Sequence, residues 1–173
     1  MVDLFAAADV QYHDNGVARA AAVLAASASL WPAVDEKTVE VANVEPYVPG
    51  EFWRRELPCL RALLDGVVPL SLLVIDGYVD LDPAGRPGLG ARAHEEFGVP
   101  VIGVAKTPFA TATHAVPVLR GSSGATRPLY VTAAGLPLAD AAGLVREMAG
   151  RYRLPDALRR ADALARGREA VRG

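Results

Sequence analysis

The stretch Leu72-Leu73-Val74-Ile75-Asp76-Gly77 restricts the possible folds of this chain more than any other. Consecutive bulky apolar side chains cannot alternate between core and water. A strand here must therefore be covered on both faces, as in a parallel or mixed sheet held between helices. The apolar run stops abruptly at a carboxylate and a glycine. Asp76 is thereby delivered to the C-terminal edge of the sheet, where open α/β sheets place their ligands. Taken alone, Asp76 is as consistent with capping the next turn as with chemistry. Three further acids, Asp9, Glu56 and Asp162, stand where burial is expected, and they tip the balance toward chemistry.

Residues 5–12 read as a strand with Phe5, Ala7 and Asp9 on one face by its period of two. A carboxylate among small apolar neighbours must be paired, protonated or bound to a metal, because burying it alone is costly. His13-Asp14-Asn15-Gly16 is a turn, residues 17–26 return as a second strand, and residues 38–44 are expected as a third, so that three antiparallel strands open the fold. Pro46-Tyr47-Val48-Pro49-Gly50 is a rigid loop that either packs Tyr47 down or presents it to a ligand. Trp53, Leu57, Leu60 and Leu64 then recur at helical spacing, and Glu56 falls on their stripe.

After the central strand, residues 80–90 form a polar, glycine-rich loop leading into a helix through Ala91, His94 and Phe97 that closes at Gly98. Residues 99–105 are a second apolar strand. Lys106 at its end is either an ordinary snorkelling lysine or a cation facing the same edge as Asp76. Residues 115–119 and 128–132 flank Gly121-Ser122-Ser123-Gly124 as a hairpin. Two helices finish the chain. One carries Leu138, Ala141, Val145 and Met148 inward; the other opens at Pro155, ends before Gly167, and places Asp162 on the face of Leu158 and Ala165.

Composition narrows the classes further. The 173 residues suit one domain spanning 1–173, and no apolar run is long enough to cross a bilayer. Met-Val-Asp-Leu-Phe lacks the basic start of a signal peptide, so a cytoplasmic protein is expected. Cys59 is the sole cysteine, which excludes an internal disulfide and a cysteine-built zinc site. A net charge of −2 does not advertise a nucleic-acid binder, although every basic side chain from Arg146 onward is an arginine, forming either a basic face or a solvated one. No Gly-x-Gly-x-x-Gly follows the first strand, which counts against a dinucleotide-binding fold.

An order of three strands, helix, strand, helix, strand, with acids in the first and fourth strands, is the pattern of the ribonuclease H-like fold: an α/β mixed sheet, three antiparallel strands then parallel ones, with flanking helices. Its first and fourth strands are neighbours, so Asp9 and Asp76 would meet. Clustered carboxylates need a shared proton or a divalent cation. Oxygen ligands without His or Cys favour Mg²⁺ or Mn²⁺, and such a site suits phosphodiester hydrolysis.

The chain also resembles the endonuclease V family. The resemblance rests on Asp9-Val10-Gln11-Tyr12, on Pro46-Tyr47-Val48-Pro49-Gly50 followed by Arg55-Glu56, on Asp76-Gly77 and on Gly103-Val104-Ala105-Lys106. Further along it rests on Arg127-Pro128-Leu129-Tyr130-Val131, and on Tyr152-Arg153-Leu154-Pro155 with Arg160-Ala161-Asp162. It implies a Mg²⁺- or Mn²⁺-dependent endonuclease, acting as a monomer, that cuts 3′ to a deaminated purine (deoxyinosine or inosine) in DNA or RNA. It implies that Asp9, Glu56, Asp76 and Asp162 surround the metal and that Lys106 assists at the phosphate. Tyr47 would wedge between bases, while Pro49, Gly50, Gly77, Gly90 and His94 would belong to the substrate site. Tyr78-Val79 and Asp82-Pro83-Ala84 depart from the glutamine-glycine pair and the His-Pro-Arg block of the family. These departures leave open a diverged member that binds nucleic acid with weak or no catalysis.

Overall fold

The computed structural model describes residues 2–121 and 125–168. Strands β1 (Leu4–Tyr12), β2 (Ala18–Ala25) and β3 (Ala33–Val41) form the antiparallel opening, followed by α1 (Trp53–Leu64), β4 (Leu70–Asp76), α2 (Leu89–Phe97) and β5 (Val101–Ala105). A short pair, β6 (Val116–Val118) and β7 (Leu129–Ala134), precedes α3 (Leu138–Glu147) and α4 (Asp156–Ala165). All seven strands make one sheet in the order β3-β2-β1-β4-β5-β7-β6, with β1, β4 and β5 parallel at its centre. This is the ribonuclease H-like arrangement expected from the element order. The hairpin extends the same sheet, with Val116 opposite Val131, although Ser122, Ser123 and Gly124 of its connection lie outside the described residues.

The double-sided burial expected for residues 72–75 is observed, and it divides the core in two. Leu73 and Ile75 face α1 and α2, packing with Leu60 and Leu63, whereas Leu72 and Val74 face α3 and α4, packing with Val145 and Leu158. The alanines of β1 and β2 keep the sheet surface low enough for α1 and α4 to approach it closely, so packing overrides their poor strand propensity. Among the described residues no helix is long and apolar enough to cross a membrane.

The third strand lies earlier than expected, at residues 33–41 rather than 38–44. Its position is set by pairing with β2, from Ala25 opposite Ala33 to Ala18 opposite Val41, and not by its own apolar residues. As an edge strand it tolerates the charged run Asp35-Glu36-Lys37. Asn43, at a left-handed φ of 56°, turns the chain away before residue 44.

Candidate active site

The parallel register of β1 and β4 places Ala8 opposite Ile75, so the next residues, Asp9 and Asp76, emerge side by side at the C-terminal edge. Glu56 reaches the same edge from the first turn of α1, and it and Asp9 are only 6% and 8% exposed. Gln11 ties the strand acid to the last helix: its Nε2 donates to Asp9 Oδ2 at 2.9 Å and to Asp162 Oδ1 at 3.3 Å. Lys106, just beyond β5, places Nζ 3.0 Å from Asp76 Oδ2.

Crowding of these acids shows in their proton affinities. Burial, reinforced by the charges of Asp76 and Asp162 and opposed by the Gln11 hydrogen bond, pushes Asp9 up to about 6. Burial, then the charges of Asp9 and Asp76, raise Glu56 well above the ordinary glutamate range, with only Arg55 acting in the other direction. Burial works against the Lys106 ammonium, but the hydrogen bond and charge of Asp76 outweigh it and raise its pKa. Tyr12 carries its buried hydroxyl into this region with no hydrogen-bond partner among the described residues, and the Arg55 guanidinium lies 3.9 Å from its ring centre.

These are hard oxygen donors, under-supplied with positive charge and accompanied by an orphaned hydroxyl, and their chemistry fits a divalent cation of the Mg²⁺ or Mn²⁺ type. Among the described residues no three His, Cys, Asp or Glu side chains form a ready-made metal cage. Two cations already engage the acids: Lys106 holds Asp76, and Arg166 Nε lies 2.9 Å from Asp162 Oδ2. Asp162 is accordingly less enclosed than its place on the helix stripe suggested, with a side chain 24% exposed.

Beside the acids lies a cavity of about 210 Å³, floored by Glu56 and Asp76 and walled by Tyr47, Phe52, Tyr78 and Phe109. That is below the roughly 300–1,000 Å³ typical of drug-sized ligand sites. Flat aromatic walls and small volume suit a single planar ring. Tyr47 is 59% exposed and stands edge-on to Phe52, ring centres 6.2 Å apart, so the loop presents its aromatic and does not pack it down. Opposite, Tyr78 Oη donates to the Thr107 carbonyl at 2.6 Å, which leaves the ring to face the cavity and Phe109. Gly50 at φ 78° and Gly77 at φ 136° both border the space, in conformations that favour glycine.

The turn after Asp76 is pinned from below. Val79 N donates to the buried Thr132 Oγ1 at 2.8 Å, and Gly77 N to the Val104 carbonyl at 3.0 Å. Gly103 makes this possible, since a Cβ there would lie 2.6 Å from the Gly77 carbonyl oxygen and 2.6 Å from Thr132 Oγ1.

The structure thus gathers Asp9, Glu56, Asp76, Asp162, Lys106, Tyr47, Gly50 and Gly77 at one sheet edge, with Pro49 in the loop beside them. It does not bring His94 there. His94 Nδ1 contacts the Val99 carbonyl oxygen at 2.7 Å and its ring packs against Gly135, beside the N-terminal end of β5 and away from Lys106. Gly90 is likewise a packing residue: a Cβ would fall 2.5 Å from Val79 Cγ2, so it seats α2 against the turn. Gln11, Tyr12, Phe52, Tyr78, Phe109 and Thr132 received no role from the sequence. Gln11, two after Asp9, shares its face of the strand and could have been found by period; Tyr12 lies on the other face, and Phe109 and Thr132 carry no local signal.

Comparison with known proteins identifies the family and fold. A family model described as endonuclease V matches residues 1–132. Endonuclease V of Azotobacter vinelandii is 37% identical over 183 residues, spanning 94% of this chain and 81% of the relative. The crystal structure of Streptomyces avermitilis endonuclease V is 33% identical, with a TM-score of 0.80 over 96% of this chain and 81% of that one. A structure of Ciona intestinalis endonuclease V, in complex with a 24mer DNA containing an inosine followed by a ribo-adenosine, has a TM-score of 0.77 over 96% of this chain and 85% of that one. Its 18% identity makes this a likeness of fold alone.

Proposed function

The chain belongs to the endonuclease V family, and from that premise we propose that it is a divalent-metal-dependent endonuclease. It hydrolyses a phosphodiester 3′ to a deaminated purine, deoxyinosine or inosine, in DNA or RNA. The observation that carries this reading is the convergence of Asp9, Glu56 and Asp76 beside an aromatic cavity sized for one base. The acids supply the chemistry and the cavity a place for an extruded base.

Asp9, Glu56, Asp76 and Asp162 would hold Mg²⁺ or Mn²⁺, which when bound polarises the scissile phosphate and lowers the pKa of a bound water. Lys106, half-exposed at the end of β5, offers its ammonium to a phosphate oxygen once Asp76 is otherwise engaged. Gln11 keeps the Asp9 and Asp162 carboxylates oriented toward one another. Tyr47 enters the stack where the base has left, and the backbone at Gly50 and Gly77 lies against the extruded ring with no side chain to obstruct it. Pro49 stiffens that loop.

The test is metal-dependent cleavage of matched deoxyinosine-DNA and inosine-RNA oligonucleotides, with Asp76→Asn as control. Cutting on the 3′ side of the lesion, lost in the variant, is the expected outcome, and the faster substrate identifies the preferred nucleic acid. Mn²⁺ binding and strand binding without cutting of either would overturn it in favour of a binding protein whose rebuilt turn at Tyr78-Val79 has lost catalysis.

A further inference from the structure

The segment between α3 and α4 is built in an unusual way. Its anchor is Arg120, a buried cation with no carboxylate partner among the described residues, 6% exposed. Its guanidinium donates to the carbonyls of Val145 and Met148 at 2.7 Å each, of Gly150 at 3.0 Å and of Arg153 at 3.2 Å. Arg153 also turns inward, donating to the Pro128 carbonyl at 2.8 Å and to that of Lys106. The backbone is therefore held rigid by two arginines pointing in, and none of its outward side chains is needed to hold it.

Those outward side chains form an array. Tyr152 is 45% exposed, with the Arg159 guanidinium carbon 4.1 Å and that of Arg151 5.1 Å from its ring centre. Arg151 Nη2 also donates to Tyr152 Oη at 3.0 Å. Neighbouring arginines are committed elsewhere, Arg160 to Glu36 and Arg166 to Asp162, whereas among the described residues Arg159 has only Asp156, at 3.6 Å, as an ion-pair partner. Two concave surfaces of about 600 and 660 Å³ meet at Arg151 and Tyr152, and Arg146 borders the first. Arg159 lies one helical turn before Asp162 on α4, so the array continues outward from the acid cluster.

We propose that Arg151, Tyr152 and Arg159 are an accessory site for the nucleic-acid strand, the two guanidinium groups taking phosphates and the phenol ring taking a base. This rests on the reading of the protein as acting on nucleic acid. The need for such a site is electrostatic. A centre of clustered carboxylates in a chain of net charge −2 repels a polyanion, so affinity must come from cations placed beside it. Arginine paired with a tyrosine face on a preformed loop is the combination by which single strands are held without sequence preference.

The test is equilibrium binding of a labelled single-stranded DNA oligonucleotide with one deoxyinosine, in EDTA to prevent cleavage, from about 50 to 200 mM salt. For the Arg151→Ala/Arg159→Ala double variant the slope of log affinity against log salt becomes shallower by about 1.4, at roughly 0.7 for each single-strand phosphate that an arginine no longer neutralises. The corresponding double Lys variant recovers the slope. Tyr152→Ala weakens binding by about tenfold with the slope unchanged, as removal of one stacked base requires. Unaltered affinity and slope in the double Ala variant, with wild type binding normally, would overturn the proposal and leave the nuclease reading intact. Weakened binding in the variants of a protein that cuts neither inosine substrate would retain the strand site and reject the nuclease. Failure of wild type to bind the strand at all would overturn the site.

Discussion

Replacing Thr132 by Val removes one acceptor from beneath the active-site turn while keeping the side-chain shape. Thr132 is 1% exposed and its Oγ1 accepts the Val79 N–H at 2.8 Å, itself fully buried. An unpaired buried N–H costs about 1–3 kcal/mol, and the isosteric side chain adds little cavity cost, so a loss of about 2 kcal/mol is expected. With a urea slope of about 2 kcal/mol/M, the unfolding midpoint falls by about 1 M with the slope unchanged. The turn bearing Gly77 loses its tether at the same time, so activity falls by more than the unfolded fraction explains. Thr132→Ser keeps the hydroxyl and loses only a methyl, about 0.8 kcal/mol. A Val variant within 0.5 kcal/mol of wild type (about that threshold by the usual scatter of neutral substitutions), or a Ser variant worse than Val, would refute the assignment of the turn's stability to this hydrogen bond.

Three further outcomes are expected. Glu56→Gln, which removes a buried carboxyl whose ionised form Asp9 and Asp76 repel, raises the melting temperature in EDTA at pH values where that carboxyl is ionised, yet abolishes stabilisation by Mn²⁺, as differential scanning fluorimetry would read. In EDTA, stability falls as pH rises from about 4 to 7, because folded Asp9 keeps its proton up to about 6 while the unfolded chain releases it near 4; the contribution, at about 1.4 kcal/mol per unit, is present below both values and lost above the folded one. Urea midpoints across pH measure it, and saturating Mn²⁺ reverses the sign. Arg120→Met strips donors from the carbonyls of Val145, Met148, Gly150 and Arg153 and costs about 3 kcal/mol or more, read as a lower urea midpoint.

The acids at the ends of apolar runs were legible because buried strands and amphipathic helices write their periods locally. Asp9 follows from a period of two, Glu56 and Asp162 from helical stripes, and Asp76 from the point where an apolar run stops. His94 shows the limit of a family resemblance as a guide: the resemblance implied a substrate contact with a structural role equally open, and α2 runs away from the edge and carries His94 to the other end of β5. The start of β3 was obscured for a different reason, since an edge strand is specified by the partner it pairs with and need not carry a pattern of its own.

Sequence alone therefore determined which apolar side chains form the core, that Asp9 and Glu56 are enclosed, and, through the order of elements, that β1 and β4 lie together. Those are consequences of hydrophobic periodicity and short connections, which act between near neighbours in the chain. Tertiary structure decided the rest. Phe109 and Tyr78 became a cavity wall, Thr132 and Gly103 a support for the turn after Asp76, and Arg120 a clamp that sets Arg151, Tyr152 and Arg159 outward. Each of these joins segments remote in sequence through contacts a few ångströms long, and no local pattern of residues encodes which remote segment will arrive.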